Sequence, residues 1–276
     1  MAARQSDAAV VLWADVSHSM PDGRAPGKAS GSAAAERVLG LLGSRELPAT
    51  WTVADFELAR PLLERLAGST THDVAVRVPT SASASTQRDM QAKALSKLIA
   101  AAAREGFQVA TLVVAGNLAT DIASAAKRLG IQAARTERPV PPTVSGWRSW
   151  LPRFGRRSQA RAPRPSTPLC HGLWEMPAGM RLITANVSSR RTIDAARREI
   201  DRALSQREAC HAVLELDRCD QLAKRDWRRL ESLLDEIAAW RASAGLRVLN
   251  SAQLATSYAA ATRGMPARSI LRQRAA

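Results

Sequence analysis

A chain of 276 residues, 46% hydrophobic and 24% charged, has an ordinary globular composition, which excludes a wholly disordered polypeptide. Its formal net charge of +15 at pH 7 allows a polyanionic partner, but arginine outnumbers lysine 35 to 5, so compositional bias explains the charge as readily as a binding face does. Three cysteines, Cys170, Cys210 and Cys219, form no CxxC pair, and no apolar run reaches the roughly 18 residues of a membrane-spanning helix. A reducing, cytoplasmic location is expected.

Ala9-Val-Val-Leu-Trp13, followed at once by Asp15, reads as a buried strand with a polar residue at its C-terminal end. After a Gly/Pro/Ser-rich loop at 21–32, the segment 33–44 places Val38, Leu39, Leu41 and Leu42 on one helical stripe. Pro48 opens a second strand, Ala49-Thr-Trp-Thr-Val53, and 58–67 forms a helix with Leu62, Leu63 and Leu66 on one face. Val74 to Val78 alternates as a third strand, stopped by Pro79, and a long helix over 89–105 closes at Gly106. A fourth strand over 109–114, a helix over 121–129 closing at Gly130 and a short fifth strand over 131–134 continue the alternation. Late in the chain the pattern predicts a strand near 182–187, a helix over 192–207 and a strand over 211–216. A helix over 224–242, a strand over 246–249 and a helix over 251–258 complete it.

Strands and helices that alternate from end to end indicate parallel βαβ units. About seven strands in a chain of this length predict an α/β fold closed as an irregular (β/α) barrel, with an open doubly wound sheet as the alternative. No GxGxxG fingerprint follows the first strand, which disfavours the nucleotide-binding forms of the open sheet. One domain over 8–262 is expected, followed by a basic tail over 263–276. The segment 139–168 interrupts it with seven prolines, six arginines and no acid, and reads as a mobile insertion. Within it, residues 145–165 interleave arginines with Trp147, Trp150 and Phe154, a composition suited to polyanion contact.

In parallel α/β folds the reacting groups lie at the C-terminal ends of strands. Those positions supply Asp15 and His18, Asp55, Arg77 with Thr80 and Ser81, Asn117, Arg135, Trp174 with Glu175, and Asp217 with Asp220.

The order of segments resembles the polysaccharide deacetylase family, the carbohydrate de-N-acetylases. The helix before Leu47-Pro-Ala-Thr-Trp-Thr-Val53 is similar to that family's helix followed by P-A-T-[WF]-F. Thr71-His-Asp-Val-Ala-Val-Arg77 is similar to its G-H-E-[IV]-x-x-H motif. Val113-Val-Ala-Gly-Asn117 with Gly130-Ile-Gln-Ala-Ala-Arg135 resembles F-P-R-N and G-[IF]-x-x-x-R, and Gly172-Leu-Trp-Glu-Met-Pro177 resembles G-[LI]-x-E-[IM]-P. Residues 230–254 resemble the closing helix, strand and helix. The likeness covers nearly all of the chain outside 139–168.

The resemblance implies a (β/α) barrel in which an Asp and two His hold a divalent metal that polarises an amide carbonyl, while a second Asp activates water. This sequence departs from that pattern. Asp15 stands for the base, Val16 or Ser17 replaces the metal carboxylate, and the two-histidine motif reads Arg77 to Ser81, with neither imidazole. Asp217 stands at the position of the family's late His, and Gly116 replaces the Arg of F-P-R-N. A guanidinium does not lose its proton and repels a cation, so Arg77 is expected to pair with Asp15 in place of the metal centre. The implied substrate-binding residues are Asn117, Arg135, Trp174 and Glu175.

The expected function is that of a degenerate deacetylase-like protein in bacterial surface-glycan metabolism, with no cofactor and with a glycan or a pathway protein as partner. The first alternative is an active hydrolase of an N-acetyl amide, with Asp15 as base and His18 or His72 and Asp217 as acid or as replacement ligands for zinc or a similar metal. The second is a basic, non-enzymatic adaptor for a polyanion.

Overall fold

The computed structural model describes residues 8–16, 32–78, 87–115, 118, 120–137, 167–168, 172–183 and 188–263. Ten strands form one sheet: β1 (Ala9–Val16), β2 (Thr50–Val53), β3 (Asp73–Val78), β4 (Thr111–Ala115), β5 (Ala133–Glu137), β6 (Thr167–Pro168), β7 (Trp174–Met176), β8 (Met180–Arg181), β9 (Ala209–Glu215) and β10 (Arg247–Leu249). The helices are α1 (Ser32–Gly43), α2 (Phe56–Leu66), α3 (Gln87–Arg104), α4 (Thr120–Arg128), α5 (Ser189–Gln206), α6 (Leu216–Cys219), α7 (Lys224–Ser243) and α8 (Ser251–Arg263).

The sheet runs β6-β7-β5-β4-β3-β2-β1-β9-β8, with β10 also beside β1, and every pairing except β6 with β7 is parallel. β1 is its axis. One edge pairs with β9 from Ala9 to Asp15, while the other is shared by β10 at Ala9–Val11 and β2 at Trp13–Val16. A strand covered on both edges and both faces must be apolar almost throughout, and all eight residues of β1 are buried.

Side chains alternate across the curled sheet and build two cores. The outward set packs against the helices: Val10, Leu12 and Ala14 of β1 meet Val38 and Leu42 of α1 and Leu230, Leu234 and Ile237 of α7. The inward set fills the barrel: Val11 and Trp13 with Ala75, Val113, Ala133, Met176 and Val213. Leu254, Ala255 and Tyr258 of α8 belong to this inner cluster, so α8 closes the end of the barrel where the strands begin. Its first turn is held there by the strand starts. Ser251 N donates to Thr50 Oγ1 (2.8 Å), and Ser251 Oγ and Ala252 N both donate to Asp73 Oδ2 (3.0 Å).

The fold is thus the expected α/β barrel of parallel strands, curled rather than closed among the described residues. Two short strands, β6 and β7, add to the expected ones, because two or three residues cannot show a period of two. The strand expected at 182–187 is instead Met180–Arg181. Leu182 lies just past it, donating its N–H to Val213 O at 2.9 Å, and 184–187 lie outside the described residues. Of the 139–168 segment, the described part is Thr167–Pro168, which pairs antiparallel with Trp174 and Glu175. No helix of the described residues is long and apolar enough to cross a membrane.

Candidate functional site

Parallel register places the inward residues of successive strands in rows. Asp15 pairs with Thr52, Thr52 with Ala75, and Ala75 with Thr111, while Arg77 pairs with Val113 and Val113 with Arg135. Arg77 and Arg135 therefore share a row, one inward step above Ala75, near the strands' C-terminal ends. β1 and β5 are separated in the sheet by three strands, so a contact between Asp15 and Arg135 has to cross the interior of the barrel.

It does. Arg135 Nη2 donates to both Asp15 oxygens at 2.7 Å and to Glu137 Oε1 at 2.6 Å. Arg77 Nη2 donates to Asp15 Oδ2 at 2.7 Å and to Glu137 Oε1 at 3.1 Å, while its Nη1 donates to Glu137 Oε2 at 3.0 Å. Two carboxylates and two guanidiniums form one closed network with no formal net charge. It spans the mouth, with the Arg135 side chain 0% and that of Asp15 4% exposed, and Arg77 and Glu137 reaching toward the rim.

Burial by itself would raise the Asp15 carboxyl. The guanidiniums of Arg135 and Arg77 outweigh that and hold it below its ordinary 3.8. Taking four charges out of water costs several kcal/mol per ion, and only short charge-assisted bonds of this kind offset it.

Beneath the network, the Arg135 guanidinium carbon lies 4.4 Å from the centroid of the Trp13 ring, a cation–π arrangement. The Trp13 indole N–H donates to His211 Nδ1 at 3.2 Å. His211 therefore carries its proton on Nε2, and burial together with the Arg135 charge pushes its pKa down to about 3. It is a neutral imidazole inside the barrel.

A divalent metal does not fit these residues. Both oxygens of Asp15 and of Glu137 accept from guanidinium groups, so two fixed cations already lie against the carboxylates a metal would need. No group of three His, Cys, Asp or Glu side chains among the described residues has metal-binding geometry.

The remaining sequence candidates scatter. His72 lies just before β3, at the opposite end of the barrel, where its Nδ1 accepts from Ala49 N at 3.2 Å and its ring meets Trp51 edge-on. Burial lowers its pKa. This position removes it as a ligand beside Asp15. Trp174 pairs in register with Ala133, below the network, and packs against Tyr258 of α8 at 5.1 Å. Glu175, next in the strand, faces the other way and accepts from Thr136 Oγ1 at 2.9 Å. Neither forms a wall at the mouth. Asp217 is half-buried in α6, directly after β9, and Asp220 of the same turn accepts from Ala34 N at the start of α1. Cys210 and Cys219 are buried thiols pushed up to about 12 by that burial. His18, Ser81 and Asn117 lie outside the described residues.

Sequence reading missed Glu137, Trp13 and His211 as parts of this cluster. Glu137 had a visible signal: it follows Arg135 by two in a strand, so both point inward. His211 gave none, because its partner Trp13 is 198 residues away.

No family model matches the sequence, and no curated protein matches it at sequence level. Comparison of structures finds a protein described as a polysaccharide deacetylase from Mycobacterium smegmatis, with TM-score 0.65 and 15% identity over 96% of this chain and 95% of that one. A 4-alpha-glucanotransferase from Thermococcus litoralis superimposes with TM-score 0.55 and 9% identity over 90% of this chain and 38% of its own. The architecture is the irregular (β/α) barrel of the polysaccharide deacetylase type, and at such identity the likeness is one of fold.

Proposed function

We propose that this chain is a degenerate, metal-free barrel of the deacetylase type, with weak or no amide hydrolysis, that acts by binding in bacterial surface-glycan metabolism. The observation that carries this reading is the occupancy of Asp15, the residue in the position of the family's base. A general base needs an oxygen free to take a proton from water and a pKa near the working pH. Asp15 has both oxygens engaged by Arg135, and its pKa is lowered rather than raised.

A metal ligand faces the same obstacle. A cation would have to displace two guanidiniums that are already paired and cannot deprotonate. Arg77 and Arg135 then serve as the structural replacement of the metal centre, supplying positive charge where the family holds its ion. Ser81 belongs to the same replaced motif by sequence.

The test is metal analysis of the purified protein, with and without added zinc or cobalt, alongside acetate release from N-acetylated chitooligosaccharides. Substoichiometric metal, no metal-dependent rise in melting temperature and no acetate release are expected, and Arg77→His regains neither. Stoichiometric zinc accompanied by zinc-dependent acetate release would overturn the reading and favour the rearranged hydrolase.

A further inference from the structure

Lysine is scarce in this chain, and its distribution is uneven. Of five lysines, Lys93 and Lys97 lie one turn apart on α3 and Lys127 lies in the last turn of α4, next to Arg128. α3 and α4 pack side by side, and between them runs an open groove of about 440 Å³ lined by Lys93, Ser96, Lys97, Arg128 and Leu129 together with two alanines. No acidic residue lines it.

Several basic residues of the other helices are paired instead. Arg37 and Arg45 of the α1 region pair with Glu231 and Asp235, Arg197 of α5 with Glu236, and Arg229 of α7 with Asp226, all at 3.0 Å or less. Lys93, Lys97 and Arg128 have no ion-pair partner among the described residues, and all three are exposed. Leu129, 37% exposed, is one of only two large exposed hydrophobic side chains among the described residues, and it lies in the same groove.

We propose that the α3–α4 groove is a second binding site, on the outer wall of the barrel, for an anionic oligosaccharide carrying carboxylates. Three unpaired cations around one apolar side chain match a ligand with regularly placed anions and an apolar ring face. Two features disfavour nucleic acid. No aromatic residue lines the groove, so bases would have nothing to stack on. Two of its three cations are lysines, point charges rather than the forked guanidiniums that read phosphate in two-point contacts. The choice of a glycan rests on the function proposed above, whereas the unpaired cationic groove does not depend on it.

The experiment measures binding of polygalacturonate to the full chain by titration calorimetry, with dextran as neutral control and a single-stranded oligodeoxynucleotide of matched charge as competitor. Two variants of equal net charge are compared: K93A/K97A/R128A in the groove, and R190A/R225A/R228A at exposed positions of α5 and α7. The groove variant is expected to bind polygalacturonate about tenfold more weakly at moderate salt and to reduce the salt slope by about 2, because contacts to carboxylates are lost with their released counterions. The control variant is expected to change affinity less than twofold. Equal losses in the two variants would reduce the site to diffuse net charge and overturn it. Stronger binding of the oligonucleotide through the same residues would replace the glycan with nucleic acid. Neither result bears on whether the mouth holds metal, which the acetate and zinc measurements decide separately.

Discussion

Arg135 and Asp15 sit on strands with three others between them in the sheet, yet one guanidinium nitrogen lies 2.7 Å from both carboxylate oxygens. The bond crosses the interior of the barrel above the apolar cluster of Val11, Trp13 and Val113, and Arg135 is entirely shielded from solvent. Removing one member of such a buried network leaves an uncompensated charge, whereas removing an oppositely charged pair together leaves far less.

Asp15→Asn is therefore expected to destabilise the protein by about 3–5 kcal/mol, the usual loss when one partner of a buried pair is deleted. Arg135→Met is expected to cost a similar amount, since Asp15 and Glu137 then share Arg77 alone. The double variant should fall short of the sum by about 1–3 kcal/mol, the coupling typical of residues in one network. Urea unfolding of the four proteins measures this. Additive losses would mean that the two groups do not interact in solution.

Asp73 predicts a stability that falls as pH rises. Its carboxyl is buried at the start of α8, and that burial pushes it up from 3.8 to about 6. A folded-state value above the unfolded one contributes stability below pH 3.8 that is lost as pH rises through about 6. The loss corresponds to about 3 kcal/mol. Asn keeps the capping acceptor without the charge. The stability difference between Asp73→Asn and the parent should thus move in the variant's favour by about 3 kcal/mol between pH ~4 and ~7. A flat difference across that range would show that Asp73 is not buried as an acid.

Much of the barrel is legible in the sequence because its long strands and helices carry their own periods. β1, β3, β9 and the five longest helices fall within a few residues of where the pattern puts them. β6, β7 and β8 are too short for any pattern, and they form by pairing with neighbours already in place. The site divides the same way. Asp15, Arg77 and Arg135 are visible as polar residues ending apolar strands. Trp174 and Glu175 are both implied as substrate-binding by the resemblance, and they adjoin in sequence. In a strand, adjacency means opposite faces: Trp174 packs on Tyr258 inside while Glu175 meets Thr136 outside.

His211 should remain neutral far below the usual titration range. Its Nδ1 accepts from Trp13, and burial together with Arg135 pushes it down to about 3. Because the folded value lies below the unfolded 6.5, the neutral ring contributes stability above pH 6.5 that is lost as pH falls toward about 3. The ring-proton NMR signal of His211 is expected to stay fixed from pH 8 to about 4, and His211→Gln to flatten the acid limb of the stability curve. A midpoint near 6 for that signal would place the ring in contact with water and undo the buried Trp13–His211 pair.

Gly179, between β7 and β8, permits the crossover that brings β8 against β9. Its φ of +80° lies in the left-handed region, and a Cβ there would stand 2.9 Å from His211 O and 3.0 Å from Val213 Cγ2. The first of these contacts is with backbone inside the sheet, which cannot give way cheaply, and the φ adds about 1 kcal/mol or more for any L side chain. Gly179→Ala is expected to destabilise the protein by about 2–4 kcal/mol, combining overpacking with backbone strain. Gly130→Ala, at φ +86° but with open space around the added carbon, should cost only about 1 kcal/mol. Thermal unfolding of the two variants separates the terms. Equal losses would mean that the close approach of Gly179 to His211 is absent in solution and that β8 does not lie against β9 as described.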